Sequence, residues 1–521
     1  MIIKRHRQLW FGLILACGLF TLSSCTTLGP DYQEPEVGWL DKWEPVGPGQ
    51  VSTTAAPDQV DLRFWWHQFN DPVLNGLIAE ARRENYSLRI AGLRIFESRA
   101  LLGIAGSSRY PQVQQATGAI NYVNAQGPGG GSNQGFASYS AGFNMAWELD
   151  FWGRFKRGIE SADAAFFASV ANQQAMQVLI SAQVTDLYYA YRTTAARIAI
   201  ALKNAAIQKR SYDITEKIFK SGDNSELDVQ QARTQYLATL STVPSLEITL
   251  AATRNALGVL LGRPPGDIPE LAAAGDTLPD QSVDSVRDIP ANLLLRRPDV
   301  RAAAWQVAAQ SAQIGIAEAE YYPAISLLGG LGWTGSSLSG TSDSGSFTLG
   351  PALRWNIFDY GRIKNNVRLQ DARLQQLIEA YQQAVLEAAR EIDTAVFSVV
   401  KTKEQQAVID GSVQAAERAL QIANTRYREG YADFQRVIEA QRSLFAQSER
   451  QLVNQGSHIS AVISLYKGLG GGWVATPVDQ LIPADIRETM KERSNWGDLL
   501  TAPIAEPLPK PPSNDKAVQD E

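Results

Sequence analysis

Few groups of residues in this sequence have the types and spacing that chemistry demands. The run Gly330-Leu331-Gly332-Trp333-Thr334-Gly335 spells the glycine fingerprint of a dinucleotide-binding turn. That turn needs a helix opening directly behind it, whose N–H groups and dipole meet a pyrophosphate. Here more Ser and Gly follow, so the run reads as a strand and a hairpin tip. The histidines are His6, His67 and His458, and none has a partner at metal-site spacing. No Walker phosphate loop and no nucleophile elbow occurs. The expectation is a chain that is not an enzyme and holds no metal and no cofactor. Energy for any work it does must come from a partner.

One residue does carry expected chemistry. Lys4, Arg5 and Arg7 form a basic start, and the apolar run Leu9 to Phe20 is too short for a comfortable membrane span. It ends in Leu22-Ser23-Ser24-Cys25, which looks like the cleavage box of a bacterial lipoprotein. Residues 1–24 are then a lipoprotein signal peptide, and Cys25 becomes the acylated first residue. Thr26 stands where this class marks inner-membrane retention with an aspartate, so outer-membrane sorting is implied. Each acyl methylene buried in lipid contributes roughly 0.8 kcal/mol, so several chains anchor firmly. Cys17 lies in the removed segment, and the mature chain therefore has no disulfide.

The elements that follow must be long. The chain has 521 residues, 45% of them hydrophobic, with stretches crowded by Ala, Gln, Leu and Arg. Net charge is −6 with both signs interspersed, so no surface for nucleic acid is indicated.

The two halves repeat. Gly103-Ile104-Ala105 and Tyr110-Pro111 recur as Gly315-Ile316-Ala317 and Tyr322-Pro323, at an offset of 212. Trp147 and Trp152-Gly153-Arg154 recur as Trp355 and Tyr360-Gly361-Arg362, at 208. Gly222 matches Gly430, and Leu261-Gly262 matches Leu469-Gly470, also at 208. The offset is expected to change only inside the Gly- and Ser-rich loops.

Each unit reads as a helix, two strands, then two very long helices. Strands are expected at 111–124, 137–150, 323–334 and 346–358. Tyr139, Phe143, Met145, Trp147 and Leu149 alternate with Ser138, Ser140, Gly142, Asn144 and Glu148, and Phe347, Leu349, Leu353, Trp355 and Ile357 behave likewise. Large apolar against small or polar at period two suits a membrane barrel, lipid outside and water inside. Four strands cannot close a barrel, and an open edge in lipid leaves backbone groups unpaired at several kcal/mol each. Copies of the chain must share one wall. Two copies would give a filled barrel and three a lumen, so three are preferred.

No proline interrupts 151–221 or 361–429, and some 70 helical residues reach roughly 100 Å. Leu377, Tyr381, Ala384, Ala388, Ile392, Ala395 and Val399 step by four and three, a coiled-coil-like seam. Each arm turns at a glycine, Gly222 or Gly430, that fits a helix stop with positive φ.

Three segments then resemble the TolC-like outer-membrane efflux family, in its OprM-like lipoprotein branch. They are Trp65 through Leu74 (WWHQFNDPVL), Arg297 through Ala303 (RPDVRAA), and Tyr427-Arg428-Glu429-Gly430 continuing through Glu439-Ala440-Gln441-Arg442. The resemblance spans nearly all the mature chain. It implies a mixed, mainly α fold: a trimeric outer-membrane β-barrel, four strands per chain, continued by a long periplasmic α-helical barrel. It implies a homotrimer that docks a periplasmic adaptor (membrane fusion protein) and an inner-membrane pump of RND type. The helix-turn tips at Gly222 and Gly430 would take the adaptor. Tyr427 matches the family's clasp tyrosine, and Asp228 the aspartate it bonds on a neighbouring chain. Glu439 matches an acidic ring at the narrowest point, and Arg442 its basic companion. Ala432 and Arg436 depart from the pattern, standing where some members carry a clasp arginine and a second acidic ring.

The expected division is a lipid-anchored segment 25–65, a first repeat 66–262, an equatorial linker 263–290, a second repeat 291–470, and an equatorial segment and tail 471–521. The expected function is passive conduction of small toxic compounds from periplasm to exterior. The alternatives are the duct of a one-step protein secretion system and a lipid-tethered periplasmic coiled-coil adaptor.

Overall fold

The computed structural model describes residues 26–40, 62–124, 135–222, 225–273, 275, 277–279, 292–336 and 344–504. The expected signal peptide and Cys25 lie outside them, as do parts of the linker and the tail.

Asp71-Pro72 starts the first helix, α1 (Pro72–Glu84). Proline here lacks only an N–H that would have had no partner, and one Asp71 carboxylate oxygen accepts from the Val73 and Leu74 N–H groups. Asn85 caps α2 (Tyr86–Ser107) in the same way. A hairpin follows, β1 (Val113–Asn124) and β2 (Gly135–Leu149), and then α3 (Arg154–Lys220), 67 residues without a break. The return runs through α4 (Glu226–Leu240) and α5 (Thr242–Leu260). The second unit repeats the order: a short α6 (Asn292–Arg296), α7 (Pro298–Ala319), β3 (Ala324–Gly335), β4 (Ser344–Arg354), α8 (Arg362–Arg428) and α9 (Phe434–Gly468). After it comes α10 (Ala484–Arg493).

The returning helices differ from expectation. Only α3 and α8 are very long, at 67 residues each, whereas α9 has 35 and the first return is split at Ser241. Pro244 explains the split, because it has no N–H for the Leu240 carbonyl four residues back. The missing length is supplied by stacking. Asn85, at the head of α2, donates its amide to the Leu260 carbonyl at the foot of α5. Arg297, at the head of α7, donates to the Gly468 carbonyl at the foot of α9. Asn85 and Arg297 are repeat equivalents, so each long helix is flanked by a short helix and a return helix set head to tail.

The largest core lies at these joints. Trp65 stacks on Tyr466 with centroids 5.3 Å apart, and Phe69 packs on Tyr189 at 5.0 Å. Tyr381, Val385, Ala388, Ile392, Ala395 and Val399 of α8 are buried there, with Val385 taking the place expected of Ala384. Residues 471–504 wrap against α2 and α3, where Val478, Leu481, Ile482, Met490 and Leu500 meet Ile95, Phe96, Phe166 and Phe167.

The four strands form one antiparallel sheet in the order β1-β2-β3-β4. Directly opposed residues share a face, so the register fixes both surfaces. Ala116, Phe143, Leu331 and Phe347 form one row across the sheet, and Met145, Gly329 and Leu349 lie in the next. The opposite face carries Thr117, Ser140, Gly142, Asn144, Thr334, Thr348 and Ala352. No described helix is long and apolar enough to cross a membrane.

Two strand expectations are corrected. β4 stops at Arg354 rather than 358, because Arg354 pairs with Ala324, the first residue of β3, and no further strand lies beyond it among the described residues. The repeat offset also changes outside the loops. Val113 pairs with Ala146, whereas Ala324 pairs with Arg354, so β1 and β3 are related by 211 while the helices before them are related by 212. Gln112 absorbs the extra residue. Opposite Glu148 the register would place Pro111, which has no N–H; instead the Gln112 amide donates to the Glu148 carbonyl and accepts its N–H at 2.7 Å.

Candidate functional site: the coil tips and the sheet edges

The tip is where α3 and α8 reverse. Gly222 and Gly430 follow them with φ of +87° and +77°, the left-handed region that a side chain disfavours. A Cβ on either glycine would meet open space, so backbone conformation and not crowding requires glycine there. Lys217 and Lys220 on one helix, and Arg426 and Arg428 on the other, place cations in the last turns, where the helix dipole favours them.

Tyr427 packs on Phe434 with centroids 5.2 Å apart, over Ala232, Val437 and Ile438. Burial, and then the nearby Asp228 carboxylate, push its phenol above the ordinary value. Asp228 thus lies near enough to Tyr427 of its own chain to act on it electrostatically. Asp228 stands in the first turn of α4 beside Glu226, where carboxylates complement the dipole, and Ser225 caps that turn through the Leu227 N–H.

Glu439 is exposed and accepts from Gln435 at 3.3 Å. Arg442 does not reach back to it. Both Nε and Nη2 of Arg442 donate to Oε1 of the buried Gln235 on α4, each at 3.0 Å. That bond ties the two return helices together and was not visible in the sequence, since the partners lie 207 residues apart. Arg436 is the repeat equivalent of Asp228, so the two tips of one chain carry opposite charges at one position.

Above the tip, polar contacts hold the coil. The Gln441 amide donates to the Ser211 hydroxyl, and Arg197 pairs with Glu449 at 2.6 Å. Asn454 donates to the Thr402 carbonyl and to Gln406, and His458 Nδ1 meets the Thr402 hydroxyl at 2.8 Å. His458 thus serves helix packing.

Two buried arginines were missed as functional positions. Arg192 of α3 donates to Asp71 at 2.8 Å and to the carbonyls of Gly275 and Thr277, and Tyr188 donates to the same Asp71 oxygen at 2.7 Å. Arg297 pairs with Asp299 and with Glu391 of α8. The WWHQFNDPVL and RPDVRAA segments are therefore joints between helices.

The residues after Cys25 are placed at the other end. Thr27 lies against Gly153, and the Leu28 N–H donates to the Trp152 carbonyl, where β2 hands over to α3. The buried Arg157 donates to the carbonyls of Leu28 and Gly29 and pairs with Asp31. The chain just behind the expected acylation site is thus pinned at the junction of sheet and helices.

A family model described as outer membrane efflux protein matches this chain at residues 77–263 and again at 289–471. The chain belongs to the outer membrane efflux protein family. Members of this family are channel proteins. The probable outer membrane lipoprotein SilC of Salmonella typhimurium is 30% identical over 458 residues, covering 88% of this chain and 97% of its own. The cation efflux system protein CusC of Escherichia coli is 31% identical, covering 88% and 98%. Among solved structures, the outer-membrane channel OprN has a TM-score of 0.76 at 32% identity, covering 86% of this chain and 99% of its own. A CusC structure has a TM-score of 0.73 at 30% identity. This efflux protein is an outer-membrane protein, and its sheet is the element with a continuous apolar face.

Proposed function

We propose that three copies of this chain form a passive duct of a tripartite efflux pump, carrying small toxic compounds from the periplasm to the exterior. The reading is supported above all by one observation: a four-stranded sheet with two unpaired edges runs directly into helices of 67 residues. In lipid those edges demand neighbours. Helices of that length span roughly 100 Å, enough to carry a lumen away from the membrane.

Cys25 holds the acyl chains, and the strap behind it sets them at the rim of the sheet. The tips at Gly222 and Gly430 dock a periplasmic adaptor, and an inner-membrane pump of RND type supplies energy. Tyr427, Asp228, Glu439 and Arg442 set the resting closure of the tip, with Arg442 acting through Gln235. Three Glu439 carboxylates around the axis attract cations, and Arg436 opposes that preference.

Deletion of the gene, followed by accumulation assays with antibiotics, dyes, detergents and metal ions, tests the reading. One or more classes should accumulate, and complementation should restore export. Unchanged accumulation of every class, with a secreted protein lost instead, would move the chain to one-step secretion.

A further inference from the structure

The internal repeat makes one junction visible and leaves its twin open. Within the chain, the first unit meets the second along β2–β3, along α3–α7, and through Trp152 stacked on Tyr322 with centroids 4.6 Å apart. The far side of the second unit, made of β4 and α8, carries the same positions without a partner. So does the near side of the first, made of β1 and α2.

Exposure marks the open twin. Val178 on α3 is 7% exposed, while its equivalent Leu386 on α8 is 48% exposed. Ala302 on α7 is 3% exposed, while its equivalent Ile90 on α2 is 51% exposed. Trp152 and Tyr322 correspond to Tyr360 and Tyr110, which are 104% and 70% exposed. Tyr360 also holds a positive φ of 52°, a conformation a tyrosine disfavours without outside support.

We propose that β4 of one copy pairs with β1 of the next in the register that β2 and β3 already use, Leu353 opposite Gly118 and Ile357 opposite Gln114, with Tyr360 stacked on Tyr110 of that next copy. The inference rests on the three-copy reading and adds the register to it. Two arguments agree, the first giving the register and the second its parity. Carrying each β2–β3 pair over by 208 on one strand and 211 on the other turns Leu149–Ile325 into Ile357–Gln114, and Tyr139–Gly335 into Phe347–Asn124. Independently, the faces must match. Leu349, Leu353 and Trp355 of the β4 line share the apolar face with the even-numbered residues of β1, namely Ala116, Gly118, Ile120 and Tyr122. Only registers that join an odd-numbered β4 residue to an even-numbered β1 residue satisfy this, since a slip of one residue turns a whole face inward. The offset of 212 seen in the helices would instead join Leu353 to Thr117 and fail. The Gln112 adjustment is what makes the interface fit. The ladder carries β4 on to residue 357, supplying the partner strand that one chain lacks.

Engineered cysteine pairs in the full-length lipoprotein, expressed in the outer membrane, test the register. The mature chain has only Cys25, whose thiol is consumed by acylation, so new crosslinks report the new sites. Leu353→Cys with Gly118→Cys, and separately Ala352→Cys with Ala119→Cys, place thiols directly opposite on the two faces. Opposed Cβ atoms lie about 4.5–5.5 Å apart, within reach of a disulfide after small adjustment. A Cβ at Gly118 has its nearest neighbour at 3.8 Å, so that change is accommodated. Most of each matched variant should run as a covalent trimer on a non-reducing gel and collapse to monomer with dithiothreitol. Leu353→Cys with Thr117→Cys should stay monomeric on the same gel. Crosslinking by that slipped pair, or by neither matched pair in material that remains trimeric by native mass, would overturn the register and leave the three-copy reading standing. A monomer by native mass in the unsubstituted protein would overturn the reading itself.

Discussion

Arg442 and Gln235 offer a direct handle on the proposed gate at the tip. The guanidinium gives two N–H groups to one carbonyl oxygen at 3.0 Å each, joining α9 to α4. A hydrogen bond to a charged group contributes about 1.5–3 kcal/mol net when sheltered. Arg442 is exposed, and solvent screening brings the figure to about 1 kcal/mol. One such loss shifts an equilibrium roughly five-fold, and three copies opening in concert shift it on the order of 100-fold.

The test is a double-mutant cycle read as open probability in planar bilayers. Arg442→Ala and Gln235→Ala should each raise the open fraction, and the double variant should do no more than the stronger single one. Arg442→Ala should be the stronger, because it leaves a buried amide oxygen without its donor, whereas Gln235→Ala leaves a cation in water. Multiplying effects, or unchanged gating in intact trimers, would refute the idea that this bond restrains the tip.

Further outcomes are expected elsewhere. Arg192→Met strips Asp71 of its buried cation and should destabilise each copy by about 3 kcal/mol, the lower figure for a broken buried pair because Tyr188 and two backbone N–H groups still serve Asp71; thermal loss of the detergent-resistant oligomer reads this, and an unchanged midpoint refutes it. Burial, and then Glu34, push the Tyr381 phenol up to about 12. Below pH 10 folded and unfolded chains are both protonated there, and above it only the unfolded chain ionises, so stability falls by about 1.4 kcal/mol per pH unit from this group. Tyr381→Phe should therefore match the parent below pH 10 in thermal melts and outlast it between pH 10 and 12. Gly430→Ala forces a side chain into positive φ at about 1–2 kcal/mol, which circular-dichroism melts should register as a lower midpoint.

What the sequence made legible followed from period and punctuation. Alternation along 138–149 and 347–357 marked strands because large and small residues fall on opposite faces of any strand. Gly222 and Gly430 marked the reversals because few residues other than glycine tolerate that backbone. The split of the first return at Ser241 was also written, in Pro244, but a long helical pattern around it hid the missing N–H. Other features needed a third dimension. Gln112 stands in for a backbone group that Pro111 cannot provide, and no one-dimensional pattern distinguishes that amide from any surface glutamine. Resemblance set Arg442 beside Glu439, and the bond it makes within the chain, to Gln235 on another helix, had no signal in the sequence. Asp228 and Tyr427 were paired by resemblance alone, since no pattern along the chain links residues so far apart.

The distribution of buried contacts along the arms says where such a duct yields. At the stacked joints, Trp65, Tyr466, Phe69, Tyr189, Tyr188 and Tyr381 share one buried cluster, Tyr188 bonds the Asp71 of the Asp71–Arg192 pair, and Arg297 binds three segments at once. At the tip, the buried cluster is reduced to Ala232, Phe434, Val437 and Ile438, with polar bonds open to water around it. Local opening follows the sparsest apolar packing. A motion that lets solute through therefore concentrates below the joints, and the two classes of substitution separate. Loosening Arg192 weakens assembly while the surviving channels conduct as before, and loosening Arg442 changes conduction while assembly holds.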